Sequence, residues 1–227
     1  MYYSPKMRKK FFWASIPAVL LAFSLDSLNT NAEDIDPVLK FYVSEADSAN
    51  TTSNIWNSRV KFSFQSFTYY KKLGRLGVVT RLDSTAVRYF CTGQVIDSTQ
   101  TLLKPKSDFP EPEFRYPNVF TDDFKHFFFP NDLGNQELAI GFDVSTPDDT
   151  LPDGIAVINR GKFVLRLLYL YFPNQKGYKR LTRSFRFSEF SEYVFPDSVW
   201  EVAAIQGVFS TDFYRLESKI ENIQLLR

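Results

Sequence analysis

FVLRLLYLYFPNQKGYKRLTRSFRFSEFSEYVFPDSVWEVAAIQGVFSTDFYRLESKIENIQLL, residues 163–226, decides the fold. It divides into four long strand-like runs, Phe163–Phe172, Tyr178–Phe190, Tyr193–Ile205 and Val208–Leu226. Pro173–Gly177, Ser191-Glu192 and Gln206-Gly207 separate them, and connections this short pair neighbouring strands antiparallel as a meander. At ~3.3 Å per residue the strands span roughly 35–60 Å, against the usual ~17–20 Å. A sheet of such strands must coil strongly and wrap around something.

The faces of these runs differ. Phe163–Phe172 is apolar on both sides except at Arg166, so it must be covered twice; without an outer cover, Val164, Leu168 and Leu170 would form a docking patch. In Tyr178–Phe190, Leu181, Phe185 and Phe187 oppose Arg180, Thr182, Ser184, Arg186 and Ser188. In the last run Tyr214, Leu216 and Ile220 make the apolar row, with Phe213 on the side of Arg215, Glu217, Lys219 and Glu221. Ile223 and Leu225 switch parity, which predicts a bulge near Asn222.

Upstream, Asp36-Pro37 has the chemistry of a helix start, and Leu39, Tyr42, Val43 and Ala46 fall at helical spacing; the polar run Ser48–Asn54 is expected to end the helix. Asn50-Thr51-Thr52 matches a glycosylation sequon. From Arg59 the period becomes two, with Val60, Phe62 and Phe64 on one face. Lys71–Gly74 is read as a turn, with a return strand Arg75–Leu82 presenting Leu76, Val78 and Leu82. After Asp83-Ser84 a third strand, Ala86–Gly93, carries Val87, Tyr89 and Cys91. Leu138, Ile140, Phe142 and Val144 alternate with Ala139, Gly141 and Asp143, a strand with one face small enough for close approach. Ile155–Ile158 forms a hairpin with Phe163–Phe172 about residues 159–162.

Residues 104–136 differ in kind. Five prolines bar a central strand, yet Phe109, Phe114, Tyr116, Phe120, Phe124, Phe127, Phe128 and Phe129 supply too much apolar surface for a solvated loop. The segment reads as a flap over the concave side, with a short helix near Thr121-Asp122-Asp123, or as a crossover burying its own rings. The expected fold is mainly β (α+β): a strongly curved antiparallel sheet of nine to eleven strands, forming an incomplete β-barrel with short helices as plug or lid.

The chain has 227 residues, 44% apolar, 17% aromatic and a formal charge of +1, which suits one globular domain. Residues 1–32 read as a secretory signal peptide: Lys6, Arg8, Lys9 and Lys10 precede an apolar run, Phe11–Leu25, and Thr30-Asn31-Ala32 is a cleavage site. About fifteen helical residues span ~22 Å, short of the ~30 Å of a bilayer core. Removing residues 1–32 takes four of 27 basic residues and one of 26 acidic ones, leaving a net charge of −2 that does not suggest nucleic acid. The expected organisation is a signal peptide (1–32) and a single incomplete-barrel domain (33–227), exported across the inner membrane to the periplasm. With one His and one Cys, the chain offers no zinc or disulfide framework; Cys91 lies in an apolar run that suggests burial.

This layout resembles the periplasmic carrier of outer-membrane lipoproteins and its relatives, the lipoprotein-sorting and sigma-factor-regulator sensor domains. The local likenesses are Val78–Arg81 leading to Val87–Phe90, and Tyr193-Val194-Phe195-Pro196-Asp197-Ser198-Val199, an aromatic-x-Pro strand start. The resemblance implies an incomplete barrel lidded by helices, holding acyl chains in its apolar interior. The family carrier has an Arg-Pro step that helps hold the lid; here Arg81 is followed by Leu82-Asp83-Ser84, so that role is not carried over.

The expected function is a lipid- or lipoprotein-acyl-chain carrier. Phe62, Phe64, Leu76, Val78, Tyr89, Phe185 and Phe187 are the candidate cavity wall, with Phe127, Phe128 and Phe129 from the flap. The expected partners are a lipid or acylated protein and membrane-associated donor and acceptor proteins; no cofactor or metal is expected. An aromatic at strand period is also ordinary core content. The alternative is a non-catalytic cell-envelope interaction or stress-sensor module. An enzyme ranks third: His126 lacks a paired nucleophile, no Gly-x-Ser-x-Gly occurs, and the acid pairs Asp122/Asp123 and Asp148/Asp149 suit a cap and a solvated loop.

Overall fold

The computed structural model describes residues 36–226 except 75–76, 107–109, 131–132, 146–150, 174–175 and 207–210. The signal-peptide reading, Leu76 and the Asp148/Asp149 pair lie outside the described residues. Ile35–Arg227 forms one compact unit.

Helix α1, Pro37–Ser53, starts where Asp36 accepts a hydrogen bond from the Val38 amide at 2.8 Å, with Pro37 in its first turn. It buries Leu39 and Ala46. It also runs past Ala46 through the polar stretch expected to end it, because Asn50 is buried and its amide donates to Asn118 Oδ1 at 3.2 Å. The same burial takes the Asn50 sequon out of solvent. A 3₁₀ turn, Ile55–Asn57, follows, capped by Asn54, whose side chain accepts from the Trp56 amide at 3.0 Å.

Among the described residues ten strands follow: β1 Lys61–Leu73, β2 Val79–Thr92, β3 Val95–Leu103, β4 Phe124–Phe128, β5 Glu137–Val144, β6 Asp153–Asn159, β7 Leu165–Phe172, β8 Tyr178–Phe190, β9 Tyr193–Gln206 and β10 Thr211–Leu226. They form one antiparallel sheet in the order β3-β2-β1-β10-β9-β8-β7-β6-β5-β4. Every consecutive pair of strands is hydrogen-bonded except β3 and β4, the last strand pairs with the first, and the sheet stays open between β3 and β4. The 20 residues 104–123 that join those two edges are the Pro- and Phe-rich segment.

The long meander matches its expected runs closely. Phe163 is excluded from β7 because it sits in the turn with φ 59°, where it packs on Phe41 and Tyr42 of α1. Asn222 has φ 54°, a conformation Asn tolerates, and the β1–β10 register slips there: Ser63 faces Gln224 and Gln65 faces Glu221. Pro196 lies at a second bulge, where Arg186 faces Ser198 and Phe187 faces Pro196. An imino acid is tolerated within a strand at such a place.

Upstream, the turn expected at Lys71–Gly74 begins later, since Lys71, Lys72 and Leu73 are the end of β1 and face Leu82, Arg81 and Val79; two further expectations are corrected. Asp83-Ser84 is not a turn; β2 runs straight through it, and the chain turns at Gly93 (φ 53°) into β3. An uninterrupted strand keeps its parity. With Tyr89 buried, Leu82 therefore points outward at 63% exposure, and Val78, just before the strand, is equally exposed. Second, residues 121–123 form a turn into β4 rather than a helix. Val164, Leu168 and Leu170 are buried, and Leu168 pairs with Phe185, so the solvent face of β7 is Tyr169 and Tyr171 instead.

Candidate functional site

The core lies on one face of the sheet, under α1, the 3₁₀ turn and residues 112–120. Two groups of rings from the sheet make its wall. On β1 and β2, Phe64 stacks on Tyr89 with centroids 4.8 Å apart, and Phe62 lies beside Phe64 at 6.3 Å. On β8, Phe185 and Phe187 stack at 6.1 Å. These five expected wall residues are all buried.

The segment joining the sheet's edges covers both groups. Phe114 meets Phe64 and Tyr89 edge-on, each at 5.3 Å. Tyr116 meets Phe187 edge-on at 4.7 Å and Phe185 at 5.8 Å. Trp56 completes the packing, stacked on Phe195 at 5.6 Å and edge-on to Phe62 at 5.2 Å. Sequence reasoning gave Trp56 and Phe195 no place in the wall. Asn54 before Ile55-Trp56 is a capping signal that would have placed an apolar turn there. For Phe114 and Tyr116 the signal is their spacing of two between Pro112 and Pro117, which puts both rings on one side of an extended segment.

The remaining candidates are not brought together with these. Phe124 packs in the core against Phe142 at 5.4 Å. Three residues on, Phe127 lies on the opposite face, where its ring covers Gly141; a Cβ on Gly141 would meet that ring at 2.2 Å. The small face of β5 is thus explained by a ring laid over it from β4. Phe128 is 39% exposed at the sheet edge, and Phe129 lies just beyond the strand.

Beside the ring wall the same face is polar. Arg183 donates twice to Glu201 Oε2, at 2.8 and 2.6 Å, and Tyr214 donates to Glu201 Oε1 at 2.8 Å. Burial, then the Glu201 charge, pushes the Tyr214 hydroxyl well above the ordinary phenol range. Thr68 bonds Ser218 at 2.9 Å and Ser66 at 3.0 Å. Cys91 is buried, and that burial raises its thiol to about 12, which removes thiolate reactivity. His126 Nε2 lies 2.8 Å from the Val119 carbonyl, and burial lowers its pKa. Among the described residues no group of His, Cys, Asp and Glu gathers as metal ligands.

A cavity of about 140 Å³ remains between β3 and residues 111–115. Trp56, Tyr89, Ile96 and Phe114 form its walls, with Glu111, Glu113 and Arg115 also lining it. Elsewhere among the described residues, two buried side-chain polar atoms have no protein hydrogen-bond partner, Trp56 Nε1 and the Tyr116 hydroxyl.

Three solved structures are similar to this chain. A putative outer membrane lipoprotein-sorting protein domain from Vibrio parahaemolyticus is 9% identical, covering 81% of this chain and 91% of its own, at a TM-score of 0.41. A LolA superfamily protein from Nitrosomonas europaea is 10% identical over 83% and 94% of the two chains, at 0.36. A DUF1329 family protein from Desulfovibrio piger is 9% identical over 84% and 94%, at 0.41. They include the lipoprotein-sorting group that the sequence resembles. No protein-family model and no curated protein matches the chain.

Proposed function

We propose that the protein is an exported, periplasmic carrier of apolar chains, either a lipid or the acyl groups of a lipoprotein, held against Phe62, Phe64, Tyr89, Phe185 and Phe187. One observation supports this above the rest: an irregular segment, not a strand or long helix, covers the aromatic wall. None of the described residues among 104–106 and 110–120 belongs to a strand of the sheet. Coil with few backbone bonds opens at lower free energy than strands do. Tyr116 and Trp56 each leave a polar atom unpaired at that seam, and such an atom costs about 1–3 kcal/mol.

The energetics permit exchange. Burying Phe114 and Tyr116 contributes roughly 1.5–3 kcal/mol each, and a buried methylene about 0.8 kcal/mol, so roughly four to eight methylenes offset both rings. A single long acyl chain exceeds that. The chemistry of such a carrier is binding and release, and none of its steps needs a catalytic group.

The test is mass spectrometry of lipids extracted from natively purified protein, with thermal unfolding on adding acyl ligands. Bound lipid and a raised Tm are expected. An empty protein that takes up no added lipid would overturn the reading.

A second reading, a cell-envelope interaction module, is favoured by the filled interior. The 140 Å³ cavity is well below the ~300–1,000 Å³ of ordinary ligand sites. The double variant Phe114→Ala/Tyr116→Ala separates the two. A carrier gains acyl affinity when the competing rings are removed, whereas a module gains none.

A further inference from the structure

Among the described residues the sheet ends on two edge strands, β3 and β4, and the two are built differently. Strand β4 is five residues long and carries Lys125, and a short edge with a lysine resists pairing with another chain. Strand β3 has neither protection. Its nine residues are all exposed, and four are large and apolar: Val95 at 60%, Ile96 at 41%, Leu102 at 44% and Leu103 at 49%.

What fits this edge is written in its order. The apolar residues sit at the two ends, with Asp97-Ser98-Thr99-Gln100-Thr101 between them. Set antiparallel to a second β3 with Thr99 opposite itself, Val95 meets Leu103, Ile96 meets Leu102, Ser98 meets Gln100 and Asp97 meets Thr101. No charge faces a charge. A slip of one residue sets Ile96 against Thr101 in one direction and Asp97 against Leu102 in the other, so only the symmetric register pairs all four apolar residues with one another. The facing agrees with this. Val95, Ser98, Gln100 and Leu103 pair with Thr92, Phe90, Arg88 and Ala86, at even steps along β2, so these four lie on one face of the sheet. Across the axis each meets its partner on its own side. Asp97 and Leu102 are the bulged residues without a β2 partner, which leaves Ser98–Thr101 regular around Thr99. The Asp97 carboxylate is held within its own copy, accepting from Thr92 Oγ1 at 2.7 Å.

We propose that β3 is a pairing strand for a second copy of this chain. The two copies join edge to edge about a two-fold axis at Thr99, and the sheet of one continues into the sheet of the other. Such an interface is isologous, with each residue meeting across the axis the residue that meets it. Nine residues a side, against roughly 20–30 in a stable interface, make the dimer weak and concentration-dependent. The pairing does not rest on the carrier reading.

The test maps the register with single cysteines in the full chain, oxidised by diamide. Directly opposed Cα atoms of an antiparallel pair lie ~4.5–5.5 Å apart, within the ~4.4–6.8 Å that a disulfide spans, whereas the two Thr101 positions are four residues out of register. Thr99→Cys should therefore become covalent dimer. Thr101→Cys should stay monomeric, as should wild type, whose one cysteine, Cys91, is buried. Val95→Cys and Leu103→Cys should cross-link when mixed, and neither should do so alone. Charge gives a second readout. In sedimentation velocity Thr99→Lys, which sets two ammonium groups opposite each other, should dimerise about fivefold more weakly than wild type, and mixing it with Thr99→Asp should restore the dimer. All these positions are exposed, so an unchanged Tm separates loss of pairing from loss of fold. Wild type that stays monomeric at every concentration overturns the proposal, and so does cross-linking of Thr101→Cys as readily as Thr99→Cys.

Discussion

At the scale of single residues, the two most informative side chains are a histidine and a buried carboxylate. His126 is the only histidine in the chain, and it ties β4 to the Val119 carbonyl of the covering segment. Burial lowers its pKa, although the Val119 bond and Asp122 act the other way. A histidine held below its unfolded value near 6.5 contributes stability that is present above that value and lost as pH falls through it. Lowering pH from about 7.5 to 5.5 should therefore reduce the denaturation midpoint in wild type. The difference between wild type and His126→Gln, measured across that range, isolates the histidine from carboxylates such as Asp143, whose raised pKa works with the opposite sign. Parallel pH profiles of the two proteins would refute the assignment. Glu201 holds Arg183 and Tyr214 together with its own side chain only 5% exposed. Glu201→Ala strands a largely buried guanidinium, and a loss of about 3–5 kcal/mol is expected in denaturant titration. A loss under 1 kcal/mol would mean that water reaches the pair.

At the scale of elements, strand faces were legible wherever a strand ran between true turns. The alternation of Tyr214, Leu216 and Ile220, the slip at Asn222 and the buried face of α1 all follow from local period and turn chemistry. The reading failed at Asp83-Ser84, where two residues with turn chemistry sit inside a continuous strand. Asp83 accepts the Lys106 amide at 3.2 and 3.0 Å, a partner more than twenty residues away that no local rule supplies. Strand β7 offers a direct check on parity. Leu168→Ala should cost about 2–5 kcal/mol, because the side chain is fully buried beside Phe185. Tyr169→Ser, one residue away on the open face, should cost well under that, both losses read by denaturant titration. Equal losses would place both faces under cover.

At the scale of the whole molecule, the sheet is a ten-strand meander joined through β1 and β10 and left open between β3 and β4. The open edge at β3 is unusual in its chemistry. All nine residues, Val95–Leu103, are exposed, and Asp97 is the sole charge among them. Edge strands without lysine or proline are templates for pairing with another chain. Concentration-dependent association is therefore expected in sedimentation velocity, and Thr99→Lys should suppress it without changing the Tm. Association that persists in Thr99→Lys would point away from this edge.

The sequence by itself determined the helix start, the meander of residues 163–226 and the aromatic content of the interior, because each is written in short-range period, capping and turn residues. The burial of Phe62, Phe64, Tyr89, Phe185 and Phe187 was also legible, because they lie on strands whose alternation can be read. Only the tertiary structure decided that β1 closes against β10, that Phe114 and Tyr116 cover the wall, and that Phe127 turns to the outer face over Gly141. The reason is physical. A strand carries its facing in its period, whereas a proline-rich coil has no period, and its rings are placed by whichever surface they meet.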